Sequence, residues 1–260
     1  MTEFEIFKGC FPQLVIDEAT FSRLAFGGAT KVFRSDGGFA CTEGSRFTLL
    51  CVAPQYQRNG EGTRLLKLCE EHIKHNGGTA AALSGNMFSG AVAESREFFE
   101  KHGYSLGGEF VEMELKLGDF TVPDYEIPYD AQYGFFDGSI DELRRAVAEV
   151  DEEWVQYFNE DGLFFCCFVN GEIASFCIIG EDEDCLLSDA STKTGSIGCV
   201  GTVPKFRRRG LGLHMVALGA HWLKERGCDN VFIHYTHLEG WYGKLGAETF
   251  LRFSPAEKRL

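Results

Sequence analysis

The residues best placed to do chemistry stand in one eleven-residue pattern that occurs twice, 150 positions apart: Val52-Ala53-Pro54-Gln55-Tyr56-Gln57-Arg58-Asn59-Gly60-Glu61-Gly62 and Thr202-Val203-Pro204-Lys205-Phe206-Arg207-Arg208-Arg209-Gly210-Leu211-Gly212. An apolar strand-like run precedes each copy and a helical run follows it. That order presents consecutive backbone N–H groups outward, where phosphate oxygens can accept them. The glycines keep side chains out of that approach. Arg207, Arg208 and Arg209 add cations suited to phosphate. Each copy is followed by an aromatic segment ending in Lys-x-Gly: Phe98-Phe99-Glu100-Lys101-His102-Gly103 and Trp241-Tyr242-Gly243-Lys244-Leu245-Gly246. A fixed order of elements repeated at this distance predicts two related domains.

The elements that must position these residues can be read from pattern. In the first half, residues 17–25 have helical character, and 30–36, 38–42 and 46–53 read as strands between glycine turns. Residues 62–75 form a helix with Leu65, Leu66, Leu68 and Cys69 on its apolar face, ended by Asn76-Gly77-Gly78. A strand at 79–83, a short helix at 95–102 and a strand at 110–117 complete the set. Residues 119–128, with two prolines and mixed charge, are the expected linker, giving domains at 1–120 and 121–260. The second half runs through helices at 139–150 and 152–158, then a hairpin of 163–169 and 172–179 across Asn170-Gly171. After an acidic loop at 181–184 come a strand at 196–203, a helix at 211–224, a strand at 231–235 and a helix or turn at 241–245. Strands alternate with helices around a mixed sheet, twice, which is an α/β class.

Composition narrows the partners. With 24 Phe and 44% hydrophobic residues the chain can fill two cores. No run of about 20 apolar residues occurs, so no membrane span is expected. The start, Met-Thr-Glu-Phe-Glu-Ile, is acidic and unlike a secretion signal, so a cytoplasmic protein is expected. The ten cysteines include no CxxC pair and read as reduced, buried thiols. Net charge is −14, and residues 137–189 carry 15 Asp/Glu against 2 Arg. Nucleic acid is therefore an unsuitable partner. The acidic stretch reads as a solvated face or as a cleft that attracts a cationic amine. His234 and His237 lie off helical ligand spacing with no completing Cys or Asp cluster, so no metal is expected. His72 and His75 sit among charged neighbours on a solvated helix face. Cys166 and Cys167 point to opposite faces of a strand.

Pro-x-aromatic-(Arg/Gln)-x-x-Gly-x-Gly, then a helix, a strand and Tyr-x-Lys-x-Gly, resembles the Gcn5-related N-acetyltransferase (GNAT) family, once per half of the chain. The tandem arrangement is similar to that of mycothiol synthases. The resemblance implies two acyl-CoA N-acyltransferase folds, each a twisted mixed sheet flanked by helices. It implies that the turn grips the pyrophosphate of acetyl-CoA, with Thr202, Val203, Arg207, Arg208, Arg209, Gly210, Leu211, Gly212 and Leu213 as the cofactor-binding set. The strand at 198–203 is expected to splay from its neighbour and bind the pantetheine arm. A backbone N–H near Thr202 or Val203 would meet the oxyanion, and Tyr242 would protonate the leaving thiolate. Transfer is direct, from acetyl-CoA to a neutral amine, helped mainly by positioning. The base stays open among Glu239, His237, Asp189 and a water chain.

The halves differ. Phe99 stands where the second half has Tyr242, and Glu61 puts an anion between the glycines of the first turn. Catalysis is therefore expected in the C-terminal half. Val52, Gln57, Arg58, Asn59, Gly60 and Gly62 form a candidate second cofactor site in a degenerate N-terminal half. The acceptor expected is a small cationic primary amine. The alternatives are a protein N-terminal or lysine acetyltransferase and a non-catalytic acyl-CoA-binding module. The assembly is either a monomer with an internal pseudo-dimer or a homodimer.

Overall fold

The computed structural model describes residues 1–29, 31–181 and 184–260. Along the chain the elements are α1 (Glu3–Cys10), α2 (Glu18–Phe26), β1 (Lys31–Arg34), β2 (Gly38–Glu43), β3 (Arg46–Val52), α3 (Glu61–His75), β4 (Ala80–Leu83), β5 (Ala91–Val92), α4 (Arg96–Lys101), β6 (Ser105–Leu106) and β7 (Phe110–Lys116). They continue with β8 (Ala131–Phe135), α5 (Ile140–Ala148), β9 (Phe164–Val169), β10 (Glu172–Gly180), β11 (Thr194–Thr202), α6 (Leu211–Glu225), β12 (Asn230–Thr236), α7 (Glu239–Tyr242), β13 (Glu248–Ser254) and β14 (Ala256–Arg259). The expected strand at 30–36 is observed as β1, and Thr30 lies outside the described residues. Glu152–Tyr157 forms a 3-10 helix rather than an α-helix. Six elements have no counterpart in the sequence reading: α1, opened by a capping box between Thr2 and Glu5, the two-residue strands β5 and β6, and β8, β13 and β14.

The chain packs as two units, and they do not follow one cut at 120/121. The first comprises residues 1–112, 184–191 and 250–260, and the second residues 113–183 and 192–249. The first unit holds a sheet of order β1-β2-β3-β4-β14-β6. Its member from the far end of the sequence, β14, lies antiparallel to β4 (Ala256 opposite Leu83) and to β6. One face is filled by Phe7, Phe21, Phe39, Leu49 and Cys51 beneath α1 and α2. The other is filled by Phe47, Leu65, Leu66, Ile73 and Phe99 beneath α3 and α4.

In the second unit the order is β7-β12-β11-β10-β9-β8, with β7 entering from the N-terminal half of the sequence. The β9–β10 hairpin turns at Asn170 (φ 51°) and Gly171 (φ 81°), the left-handed pair that matches strand twist. α6 lies over this sheet with ten buried residues, among them Met215, Val216 and Leu223.

Candidate active site

The second turn starts where β11 ends. Phe206 is buried and anchors it, and the Phe206 N–H donates to the Val203 carbonyl at 2.9 Å. Arg207 Nε reaches back to the Thr202 carbonyl at 3.0 Å. Arg208 (φ 63°) and Gly210 (φ 76°) are both left-handed, and α6 begins at Leu211 with no side-chain cap. The first intrahelical bond is His214 N–H to the Gly210 carbonyl, 3.1 Å. The N–H groups of Leu211, Gly212 and Leu213 therefore point out of the helix end, where the dipole favours an anion. The two glycines act differently from the reading above. Gly210 is required by its dihedral, with nothing within 4 Å of a Cβ there. At Gly212 a Cβ would stand 2.7 Å from Thr202 Oγ1 and 3.7 Å from Trp241, so this glycine lets the helix close onto the strand.

Two further expectations change. The Val203 N–H donates to the Ala174 carbonyl at 3.0 Å and is not an open donor for an oxyanion. Arg209 is not a mobile cation, because its Nη2 is 2.9 Å from Asp130 Oδ1. Arg208 stays exposed, with no ion pair among the described residues.

Beside the turn the sheet opens. β11 and β12 are parallel but pair only over Thr194–Ser196 and Asn230–Phe232. Beyond Ser196 and Phe232 the ladder between the two strands stops. β11 also bulges. Gly198 and Gly201 are in register with Ile178 and Phe176, so Cys199 and Val200 together oppose Cys177. Cys199 is left-handed (φ 47°), as is Tyr235 (φ 51°) on β12. Two left-handed non-glycine residues on the two strands of one opening represent strain of the kind that collects at functional sites. Neither was legible in the sequence, although the glycines flanking Cys199-Val200 were a signal for the bulge.

Tyr242, on α7, is 5% exposed, with Trp241 edge-on at 4.7 Å. Burial, then the neighbouring Cys177 and Cys199 thiols, push its phenol well above the usual range, so it holds its proton at neutral pH. Cys199 is raised to about 11 by burial and then by the charge of Asp151, a carboxylate near the bulge that the sequence reading did not single out. Glu239 accepts a 2.7 Å hydrogen bond from Thr249 Oγ1. His237 is exposed on the loop before α7. Asp189 belongs to the first unit and is held in a local turn by the Ser191 N–H and hydroxyl, both at 2.8 Å. Of the acidic loop, Glu181 pairs with Arg226 at 2.6 Å and Asp184 with Arg23 at 2.5 Å. Asp182 and Glu183 lie outside the described residues. Among the described residues no cluster of His, Cys, Asp or Glu could hold a metal, and no helix is long and apolar enough to cross a membrane.

The first turn repeats the backbone of the second. Arg58 (φ 64°) and Gly60 (φ 91°) are left-handed, α3 starts uncapped, and Gln57 Nε2 donates to the Val52 carbonyl at 2.8 Å, as Arg207 does to Thr202. β3 and β4 also pair over only two residues. What differs is the chemistry around it. Glu61 is ion-paired to Arg64 at 2.9 Å and held below the usual carboxylate range by that bond. Phe99 is buried in the core.

Residues 126–247 match the model described as "Acetyltransferase (GNAT) family", and residues 28–116 match "Acetyltransferase (GNAT) domain". No curated protein sequence matches the chain. Among solved structures, one described as a GCN5-related glucosamine N-acetyltransferase region of a fungal multi-domain GH3 β-N-acetylglucosaminidase is similar at TM-score 0.76 and 21% identity over 97% of this chain. The chain spans about a third of that fungal protein's length (36%). A GCN5-related N-acetyltransferase from Kribbella flavida is similar at TM-score 0.60 and 15% identity, covering 94% of this chain and 96% of that one. A tandem GNAT protein from the clavulanic acid biosynthesis pathway is similar at TM-score 0.61 and 14% identity, covering 88% and 81%.

Proposed function

The chain belongs to the GNAT acetyltransferase family, as two such domains in tandem, and from that premise we propose that it transfers acetyl from acetyl-CoA to the primary amine of a small cationic acceptor, using only its C-terminal site. The observation that carries this is an asymmetry. Both copies keep the phosphate-type turn, but only the second places a buried tyrosine, Tyr242, where the first has Phe99, and only the second carries the strained pair Cys199 and Tyr235.

Acetyl-CoA supplies the activated acyl group. The open N–H groups of Leu211, Gly212 and Leu213, with exposed Arg208, would hold its pyrophosphate. The facing stretches of β11 and β12 beyond their ladder would take the pantetheine arm. The bulge at Cys199-Val200 replaces Val203 as the source of N–H donors toward the thioester oxygen. Tyr242, protonated at neutral pH, would hand its Oη proton to the departing sulfur. Asp151, which acts on Cys199 at the bulge, would hold the acceptor ammonium, with Glu239, His237 or water taking the amine proton. An amino sugar is the first acceptor to try, on the likeness to the fungal glucosamine N-acetyltransferase region.

A second reading applies to the N-terminal copy. Its turn has the same dihedrals as the second, which favours a second acyl-CoA site without chemistry. Calorimetric titration with acetyl-CoA, followed by CoA release across glucosamine, polyamines, amino acids and a lysine peptide, tests both. One bound acetyl-CoA and release with a small amine are expected. Two bound would establish the second site. No binding at tens of micromolar would sink the transferase reading, and release only with the peptide would move the acceptor to proteins.

A further inference from the structure

Three contacts tie α6 and the turn before it to β8 and the residue that precedes β8. Arg209 Nη2 stands 2.9 Å from Asp130 Oδ1, with the two side chains 33% and 18% exposed. The Tyr133 ring is 4.9 Å from the His214 ring, and the Phe135 ring is 4.9 Å from that of Trp222. Asp130 immediately precedes β8, and Tyr133 and Phe135 lie on it. Arg209 sits between the two left-handed residues of the turn, Arg208 and Gly210. His214 is one turn into the helix that follows.

The first unit has the same turn in a different setting. Its sheet ends at β1, the strand that matches β9, so nothing in it corresponds to β8. Asn59 stands in place of Arg209. Arg64 stands in place of His214 and pairs within its own helix, with Glu61. The turn tied to a sheet strand and the tyrosine at the Phe99 position thus occur in the same copy.

We propose that Asp130 is a positioning residue: through Arg209 it fixes the second turn in the conformation that receives the pyrophosphate of acyl-CoA, and Arg209 is a fastener rather than a phosphate ligand. This rests on the acyl-CoA reading above. A guanidinium already bonded to a carboxylate brings little net charge to a phosphate. A turn with two left-handed residues, one of them an arginine, has lower-energy alternatives. Tying the residue between them to a sheet strand removes those alternatives before the ligand arrives, and so lowers the cost of binding.

The two roles for Arg209 predict opposite signs. If Arg209 were a phosphate ligand, Asp130→Asn would free it and remove a nearby anion, and acetyl-CoA would bind as tightly or more so. As a fastener, Asp130→Asn weakens acetyl-CoA by about five- to tenfold, Arg209→Ala by a similar factor, and the double variant by no more than either alone. The exchanged pair, Asp130→Arg with Arg209→Asp, returns affinity to within about threefold of the wild type. The measurement is calorimetric titration of the full chain with acetyl-CoA, with the thermal midpoint of each variant recorded. Unchanged or tighter binding by a folded Asp130→Asn, or additive losses in the double variant, overturns the proposal. If Asp130→Asn does not fold, the exchanged pair decides: recovery supports the fastener and continued loss overturns it. Absence of acetyl-CoA binding in the wild type is a separate result, which removes the acyl-CoA reading itself.

Discussion

At the scale of single residues, Tyr242 concentrates the chemical argument. A buried phenol with raised proton affinity is a poor base at neutral pH and a ready donor once negative charge develops beside it. Tyr242→Phe keeps the packing against Trp241 and removes only the hydroxyl. We expect kcat to fall by about 10²-fold with acetyl-CoA affinity nearly unchanged. The sign with pH follows from the shift: a raised phenol keeps its proton as pH rises through 10, so the alkaline loss of kcat that reports Tyr242 lies above that value and is absent from the Phe variant. An equally active Phe variant would remove the assignment. Tyr242 and the turn could be read from sequence because each is a short local pattern. The state of Val203 could not. Whether its N–H is open depends on the register with Ala174, 29 positions away, and no local pattern encodes that.

At the scale of elements, the paired turns give an internal control. Gly212 touches Thr202 where a Cβ would clash, whereas a Cβ at Gly62 meets the ring of Phe98 at 3.4 Å and Val52 at 3.8 Å, ordinary contacts. Gly212→Ala should therefore cost about 1–3 kcal/mol through overpacking of α6 on β11. Gly62→Ala, in the first turn of α3, should be neutral or stabilise by up to about 1 kcal/mol through helix propensity. Thermal denaturation of the two variants checks this, and equal destabilisation would refute the packing role assigned to Gly212. The same scale explains what the sequence hid. β8 reads Ala-Gln-Tyr-Gly-Phe, short and interrupted by glycine just after the proline-rich linker. β14 reads Ala-Glu-Lys-Arg, with three charges in four residues. Both are strands because partners are waiting for them, not because of their own composition. The helices α3 and α6, long and strongly patterned, needed no such help.

At the scale of the whole molecule, each unit takes a strand from the other half of the sequence: β14 joins β4 and β6, and β7 lies next to β12. Removing residues 256–260 should destabilise the first unit, not the second. Hydrogen exchange should show lost protection in β4 and β6 while β9 and β10 stay protected. Loss confined to the second unit would contradict the strand assignment. The duplication itself was plain from the repeated turn. The exchange was not, because it resides in pairings between residues as distant as Leu83 and Ala256.

That exchange also sets a timetable. A chain emerging from the ribosome would ordinarily complete its leading domain before the trailing one exists. Here the first half must wait, its sheet one strand short, until residues 256–259 arrive. The half that is made first is finished after the half that follows it.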